Sequence, residues 1–283
     1  MTPSAGRSFR RRTLSETMAQ WLSSQGTVSR RVRRGLRPLA ERLFVPRRGL
    51  EAVLPGGERV RIARSCRHVT WNPEEYQTFR SAVRPGQVVF DIGANAGAYA
   101  ILFGQWVGEA GRVYAFEPDP QAYDGLVRQV GLNGVEGRVV PIASAVAGER
   151  CVSAPLHVSP STGASHLSGQ SDAGAWRLIQ VAVTSIDAFC AERGVLPDVV
   201  KVDVEGSELD VLRGARQTVA ALGDRALLYV EMHPSRWPSL GIDFEDIRRE
   251  CGIQGLSLER IDGGGGDVRP LEGVCLRLRG SRR

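Results

Sequence analysis

From Val88 to His233 the chain alternates short apolar runs with segments of helical periodicity. The runs are VVFDIG at 88–93, VYAFEP at 113–118, VVPIASAV at 139–146, VVKVDVEG at 199–206 and ALLYVEMH at 226–233. Helical patterns lie near 97–107, 120–131, 185–193, 207–221 and 243–251. Unbroken β-branched runs mark strands covered on both faces, as a parallel sheet requires. The alternation therefore predicts a doubly wound α/β sheet with right-handed crossovers. Two more strands, near 255–261 and 273–278, flank Gly263 to Gly266 and are expected to pair antiparallel.

The chain before Val88 reads differently. Residues 51–63 suggest a hairpin turning at Pro55-Gly56-Gly57. Residues 71–83 suggest a helix, with Pro73 in its first turn and Tyr76, Phe79 and Val83 on one side. Residues 1–50 hold one expected helix, with Thr13 and Glu16 spaced as a capping box ahead of Met18, Trp21 and Leu22. Residues 159–175, rich in Ser and Gly, interrupt the βα rhythm, and so long a loop suggests a substrate lid. The expected division is an accessory segment over 1–65 and a catalytic domain over 66–283.

Composition narrows the class. The 283 residues are 42% hydrophobic and 24% charged, which excludes a disordered chain or a collagen. No window approaches the roughly 20 apolar residues of a bilayer span. The basic start has no apolar core of about 7–15 residues behind it, so no secretory signal is expected. Five scattered cysteines without a C-x-x-C pair read as reduced thiols in a cytoplasmic protein. The net charge of +6 is uneven: residues 1–50 carry twelve arginines against Glu16 and Glu41, leaving a balance of −4 for the rest. A nucleic-acid protein should carry positive charge around its working site, and this body does not. Lys201 is the only lysine.

The sharpest chemical signal is Asp91-Ile92-Gly93-Ala94-Asn95-Ala96-Gly97, which closes an apolar strand and opens a helix. Glycines there allow a tight turn and close approach of backbone amides to a ligand. Glu117 ends the next strand, where an acid accepts both hydroxyls of a ribose. The twenty residues from Gly97 to Glu117 would also suit a dinucleotide. Charge discriminates: Asn95 replaces a fingerprint glycine, and Asp91 would repel a pyrophosphate. A carboxylate there suits the ammonium and sulfonium of S-adenosylmethionine, and a nicotinamide-dependent oxidoreductase is the lesser alternative.

Four blocks in order carry a resemblance: VVFDIGANAGAY at 88–99, AFEPDP at 115–120, Leu132-Asn133-Gly134, and KVDVEGSE at 201–208 with Leu212 to Ala215 behind it. Together they resemble the FkbM family of S-adenosylmethionine-dependent methyltransferases, over about residues 84–235. The resemblance implies a class I methyltransferase (Rossmann-like) fold: a doubly wound, mostly parallel seven-stranded sheet with an antiparallel C-terminal strand pair. It also implies methyl transfer, most often to a hydroxyl. Asp91, Gly93, Asn95 and Gly97 would lie under the methionine part of the cofactor, and Glu117 would hold its ribose. Ser144 and Ala145, ending the third strand, would lie near the adenine edge. Asn133 fits a turn with positive φ as well as it fits a ligand.

In the fourth strand Lys201, Asp203 and Glu205 alternate and should share one face, with Val202 and Val204 on the other. They sit at the carboxyl end, where open α/β sheets bind ligands. Glu231 and His233 end the fifth strand beside them. An alcohol needs a general base, and His233 is the first candidate, with Asp203 or Glu205 as base or orienting partner. Lys201 completes the candidate catalytic group, as an ion-pair partner or a ligand contact. A divalent cation on Asp203, Glu205 and Glu231 is an alternative, but no short spacing demands one and no metal ligand is assigned. His68 and His157 are weaker candidates, and His166 could enter from the lid. Glu208 and Arg213 read as surface charges. The expected acceptor is a hydroxyl of a small molecule or sugar. An RNA methyltransferase using the Arg-rich lead, or a cofactor-binding scaffold without turnover, stands as a rival.

Overall fold

The turn at Pro55-Gly56-Gly57 forms as expected. β1 (Leu50–Val53) and β2 (Arg59–Ile62) pair antiparallel across it. This is a computed structural model, and it describes residues 49–66, 69–158, 167, 177–261 and 268–281. The expected helix of residues 1–50, His68, His166 and all of residues 159–175 except Leu167 lie outside the described residues. α1 (Pro73–Ala82) starts where the sequence suggests: Asn72 caps it by accepting the Glu74 and Glu75 amides, and Pro73 occupies its first turn.

The central sheet then builds strand by strand. β3 (Val88–Ile92), α2 (Ala98–Trp106), β4 (Arg112–Phe116), α3 (Pro120–Leu132) and β5 (Val139–Ile142) form the first half. A smaller sheet follows, from β6 (Ala145–Val146), β7 (Cys151–Val158) and β8 (Arg177–Thr184). The second half comprises α4 (Ile186–Arg193), β9 (Val199–Val202), α5 (Glu208–Arg213), α6 (Arg216–Leu222), β10 (Leu227–Met232), α7 (Phe244–Gln254), β11 (Leu256–Arg260) and β12 (Val274–Gly280). The sheet has seven strands in the order β11-β12-β10-β9-β3-β4-β5. β10, β9, β3, β4 and β5 are parallel, and β12 runs antiparallel to both β10 and β11.

Alternation along each strand sends side chains into two cores. Phe90, Val200, Val202 and Val230 pack on one face against Phe189, Leu209 and Leu212. Val89, Val113 and Val199 pack on the other against Phe79, Leu102 and Phe103. The second core reaches into the N-terminal hairpin through Val60. The Ala63 amide donates to Gln129, and Asn133 both accepts the Arg61 amide and donates to its carbonyl. Asn133 has φ −98, so it is no positive-φ turn and serves as a strap for the hairpin.

Three boundaries differ from expectation. The apolar run at 139–146 is not one strand: Pro141 has no amide to give, and the Ser144 N–H folds back onto the Ile142 carbonyl at 2.9 Å. Ser144 therefore lies beyond β5, and Ala145 opens β6 of the small sheet. β9 stops at Val202, because Glu205 adopts the left-handed region with φ +50 and breaks the alternation. The helix expected over 207–221 is two, parted at Gly214.

Candidate functional site

The candidate groups that follow β3, β4, β9 and β10 gather at the carboxyl ends of those parallel strands. The loop after β3 is held by its neighbour, since the Gly93 and Ala94 amides donate to the Phe116 carbonyl at 3.0 and 2.9 Å. Asn95, at φ +48, takes the left-handed conformation that its short polar side chain tolerates. Glu117 ties the loop to β4. Its carboxylate accepts the Asn95 amide at 2.7 Å and the Asp119 amide at 2.8 Å. Burial drives its pKa up to about 8, and the two backbone hydrogen bonds hold it from rising further.

A cleft of about 640 Å³ opens between this loop and the small sheet. Phe116, Glu117, Pro118, Ser144, Ala145 and Leu167 are among the residues that line it. The Ser144 hydroxyl lies within hydrogen-bond distance of the Ala145 and Ala182 carbonyls, so its proton is spent on backbone. Leu167, within the expected lid, packs against the core of the small sheet.

A second, more polar chamber of about 890 Å³ adjoins it. Asp91, Lys201, Asp203 and Glu231 line it together with Glu75 and Tyr99. Gly93, Asn95 and Asp203 border both cavities, so the two meet at the end of β9. Asp91 is buried, and neither of its oxygens has a well-formed hydrogen bond among the described residues. Burial raises its pKa to about 6, against the pull of Lys201 at 3.9 Å. Lys201 itself is buried and lies 3.2 Å from Asp203. Burial lowers its pKa, yet Asp203, Asp91 and Glu231 more than reverse that, so the ammonium stays charged.

His233 stands just beyond β10. Its Nδ1 pairs with Glu208 at 2.7 Å, and Glu208 also accepts the Trp237 indole N–H and the Gly206 amide, both at 2.9 Å. Nε2 faces Asp203, Glu231 and Glu205 at 3.8, 3.8 and 3.9 Å. Burial lowers the imidazole pKa, but the Glu208 hydrogen bond and the carboxylates of Glu205 and Asp203 outweigh it and lift it to about 9. Glu231 is raised to about 8, by burial first and then by Asp203. Burial also raises Glu205.

The structure thus brings Asp91, Gly93, Asn95, Glu117, Lys201, Asp203, Glu205, Glu231 and His233 together. Gly97 caps α2 behind the loop, its position for a side chain facing Leu126 rather than a cavity. His157 lies on β7 in the small sheet. Sequence reasoning missed Glu75 and Tyr99, which enter from α1 and α2. It also took Glu208 for a surface charge, whereas that residue is completely buried and anchors His233. The nearest signal was its place two residues after Gly206 in an otherwise assigned block.

A doubly wound sheet bearing acids at the ends of the neighbouring parallel strands β3 and β4 has the class I methyltransferase architecture. The family model described as methyltransferase FkbM domain matches residues 91–254, more than half of the chain, and the protein belongs to that methyltransferase family. Among characterised relatives, the chain is 28% identical over 174 residues to the hexuronic acid methyltransferase AglP of Haloferax volcanii, a match covering 61% of this chain. It spans 64% of that relative, less than two thirds of its length. Among solved structures, it resembles a methyltransferase FkbM from Methylobacillus flagellatus at 18% identity and a TM-score of 0.41, covering 72% of this chain and 50% of that one. It also resembles a precorrin-6y C5,15-methyltransferase from Geobacter metallireducens at 11% identity and a TM-score of 0.44, covering 78% and 94%. No helix among the described residues is long and apolar enough to cross a membrane.

Proposed function

We propose that this protein transfers a methyl group from S-adenosylmethionine to a hydroxyl of a small polyhydroxylated acceptor such as a sugar. One observation carries the reading: Glu117 and Asp91 flank a single loop, and the buried Asp91 carboxylate has no well-formed hydrogen bond among the described residues. Lys201 approaches it at 3.9 Å without donating a hydrogen bond, and a buried carboxylate still gains from a donor that meets it directly. The ammonium of the cofactor is such a partner, whereas a dinucleotide pyrophosphate would be repelled. Asp91 would hold that ammonium, Glu117 the ribose hydroxyls, and Phe116 and Pro118 would cover the adenine. The cofactor supplies an electrophilic methyl group carried on a sulfonium.

The residues of this chain supply position and a place for a proton. Asp203 borders both cavities, so an acceptor oxygen meets the cofactor beside it. In-line displacement needs the two atoms about 3–3.5 Å apart. The hydroxyl proton passes to a carboxylate of Asp203 or Glu205, while His233, fixed through Nδ1 by Glu208, faces both acids and holds them in place. A sugar acceptor is supported by the AglP relative, whose stated substrate is a hexuronic acid. Free thiols at all five cysteines fit a cytoplasmic setting.

Calorimetric titration with S-adenosylmethionine, and separately with NADH, tests the reading. Micromolar binding of the first alone, lost in Glu117→Ala, is expected. No heat with S-adenosylmethionine, or undiminished binding in Glu117→Ala, would overturn it.

A further inference from the structure

The carboxylates that face His233 are arranged in a way that ion pairing alone does not explain. One oxygen each of Asp203 and Glu231 and Nε2 of His233 all lie within 4.8 Å of one another. The separations of 3.8 Å from Nε2 to Asp203 and to Glu231 are too long for hydrogen bonds. Atoms that share one ion through bonds of about 2.0–2.6 Å lie roughly 3–5 Å apart, which is the spacing here. Glu205 stands 3.9 Å from the same nitrogen and could complete the set.

Two further features point the same way. His233 is only 5% exposed, yet among the described residues its Nε2 makes no hydrogen bond and faces three acids at 3.8–3.9 Å. Its other nitrogen is locked by the buried Glu208, which accepts from Trp237 and Gly206 as well. A carboxylate behind a histidine, fixing the ring's orientation while the far nitrogen faces other acids, is the usual support of a metal-bound imidazole, which binds with loss of its Nε2 proton. Asp203 divides its oxygens to match: one meets Lys201 at 3.2 Å, and the other turns toward His233.

We propose that Asp203, Glu231 and His233 bind one divalent cation. A donor set of two carboxylates and one imidazole suits a first-row ion such as Mn²⁺ or Zn²⁺ better than Mg²⁺ or Ca²⁺, which prefer oxygen alone. Asp203 lines both cavities and Glu231 lines the polar chamber, so an ion held there would be open to an acceptor oxygen as a further ligand and would lower its pKa. This use rests on the methyl-transfer reading, whereas binding of the ion does not.

The test is a Mn²⁺ titration of the full chain, stripped with a chelator and followed by electron paramagnetic resonance. One saturable site is expected, with nitrogen coupling from the bound imidazole. Glu231→Gln and Asp203→Asn should each weaken it at least about 10–100-fold, the loss typical of removing even a supporting group. Circular dichroism melting and S-adenosylmethionine binding on the same preparations report whether each variant folds. Absence of saturable Mn²⁺ binding in folded protein, absence of nitrogen coupling, or unchanged affinity in both variants would overturn the site. If S-adenosylmethionine still binds in that case, only the ion is lost. If Mn²⁺ binds as expected and S-adenosylmethionine does not, the ion site stands and the methyl-transfer reading falls.

Discussion

The Glu117 carboxylate accepts the backbone amide of Asn95 at 2.7 Å, so the acid ending β4 and the loop after β3 form one hydrogen-bonded unit. Its other oxygen holds the Asp119 amide, and Asp119 in turn caps α3. A ligand hydroxyl at Glu117 thus meets a carboxylate already fixed from two sides, which reduces the ordering cost of binding.

That carboxylate gives the cofactor affinity a pH dependence. In the bare protein burial lifts Glu117 to about 8, while ribose hydroxyls donate to its charged form. Binding therefore favours loss of its proton, and affinity should rise with pH up to about 8 and then level. Each pH unit below that costs up to about tenfold. The stability sign is opposite. A carboxyl raised above its unfolded value of 4.5 contributes stability that is present below that value and is lost as pH rises through about 8. Calorimetry from pH 6 to 9 should show the slope in the native chain and a flatter one in Glu117→Gln. Equal slopes in both would remove Glu117 from the account.

Gly93 is the position where the loop cannot accept a side chain. Its φ is +77, and a Cβ would lie 1.8 Å from the carbonyl oxygen of Asp203, whose backbone is held by its amide donating to the Ile92 carbonyl at 2.9 Å. Gly86, at φ +85 with open space around it, separates conformation from crowding. Gly86→Ala should cost about 1–2 kcal/mol, the left-handed penalty alone. Gly93→Ala should cost clearly more and abolish cofactor binding, read by urea unfolding and calorimetry. Equal losses would mean that the close approach to Asp203 is unimportant.

What the sequence made legible was whatever depends on one strand and its end. Unbroken runs such as Val88 to Ile92 announced buried parallel strands, and Asp91 and Glu117 announced themselves by closing such runs. Glu75 could not be seen, because it reaches the chamber from α1, far from any assigned block. Glu208 was misread because a charged residue opening a helix is usually solvated, and its burial depends on how α5 packs under His233. Alternation alone would put Glu205 on the face of Lys201 and Asp203, but the strand ends first and a left-handed residue delivers it there instead.

Glu205 combines that strained φ of +50 with a place beside His233 Nε2, and strain retained at a site is usually functional. Glu205→Gln keeps the shape and removes the proton acceptor. It should lower kcat by about 10²–10⁴ while leaving S-adenosylmethionine affinity within a few fold. Single-turnover methyl transfer measures the first and calorimetry the second. Unchanged kcat would pass the base role to Asp203.

Lys201 is the sole buried cation facing Asp91, which is 1% exposed and has no well-formed hydrogen bond among the described residues, whereas the Asp203 side chain is 29% exposed and can hydrate. Removing the ammonium therefore strands Asp91 above all. Lys201→Met, close in length and apolar, should destabilise the fold by about 3–5 kcal/mol, the usual cost of breaking a buried pair from one side. Adding Asp91→Asn removes the stranded charge, and the double variant should recover about 1–3 kcal/mol of that loss. Equilibrium urea unfolding of the four proteins in the cycle measures both numbers. If Lys201→Met melts like the native chain, Asp91 is neutral in the folded protein and the ammonium is not its counter-ion. If the double variant recovers nothing, the loss comes from Asp203 or from packing, and Asp91 would no longer be the charge waiting for a cationic ligand.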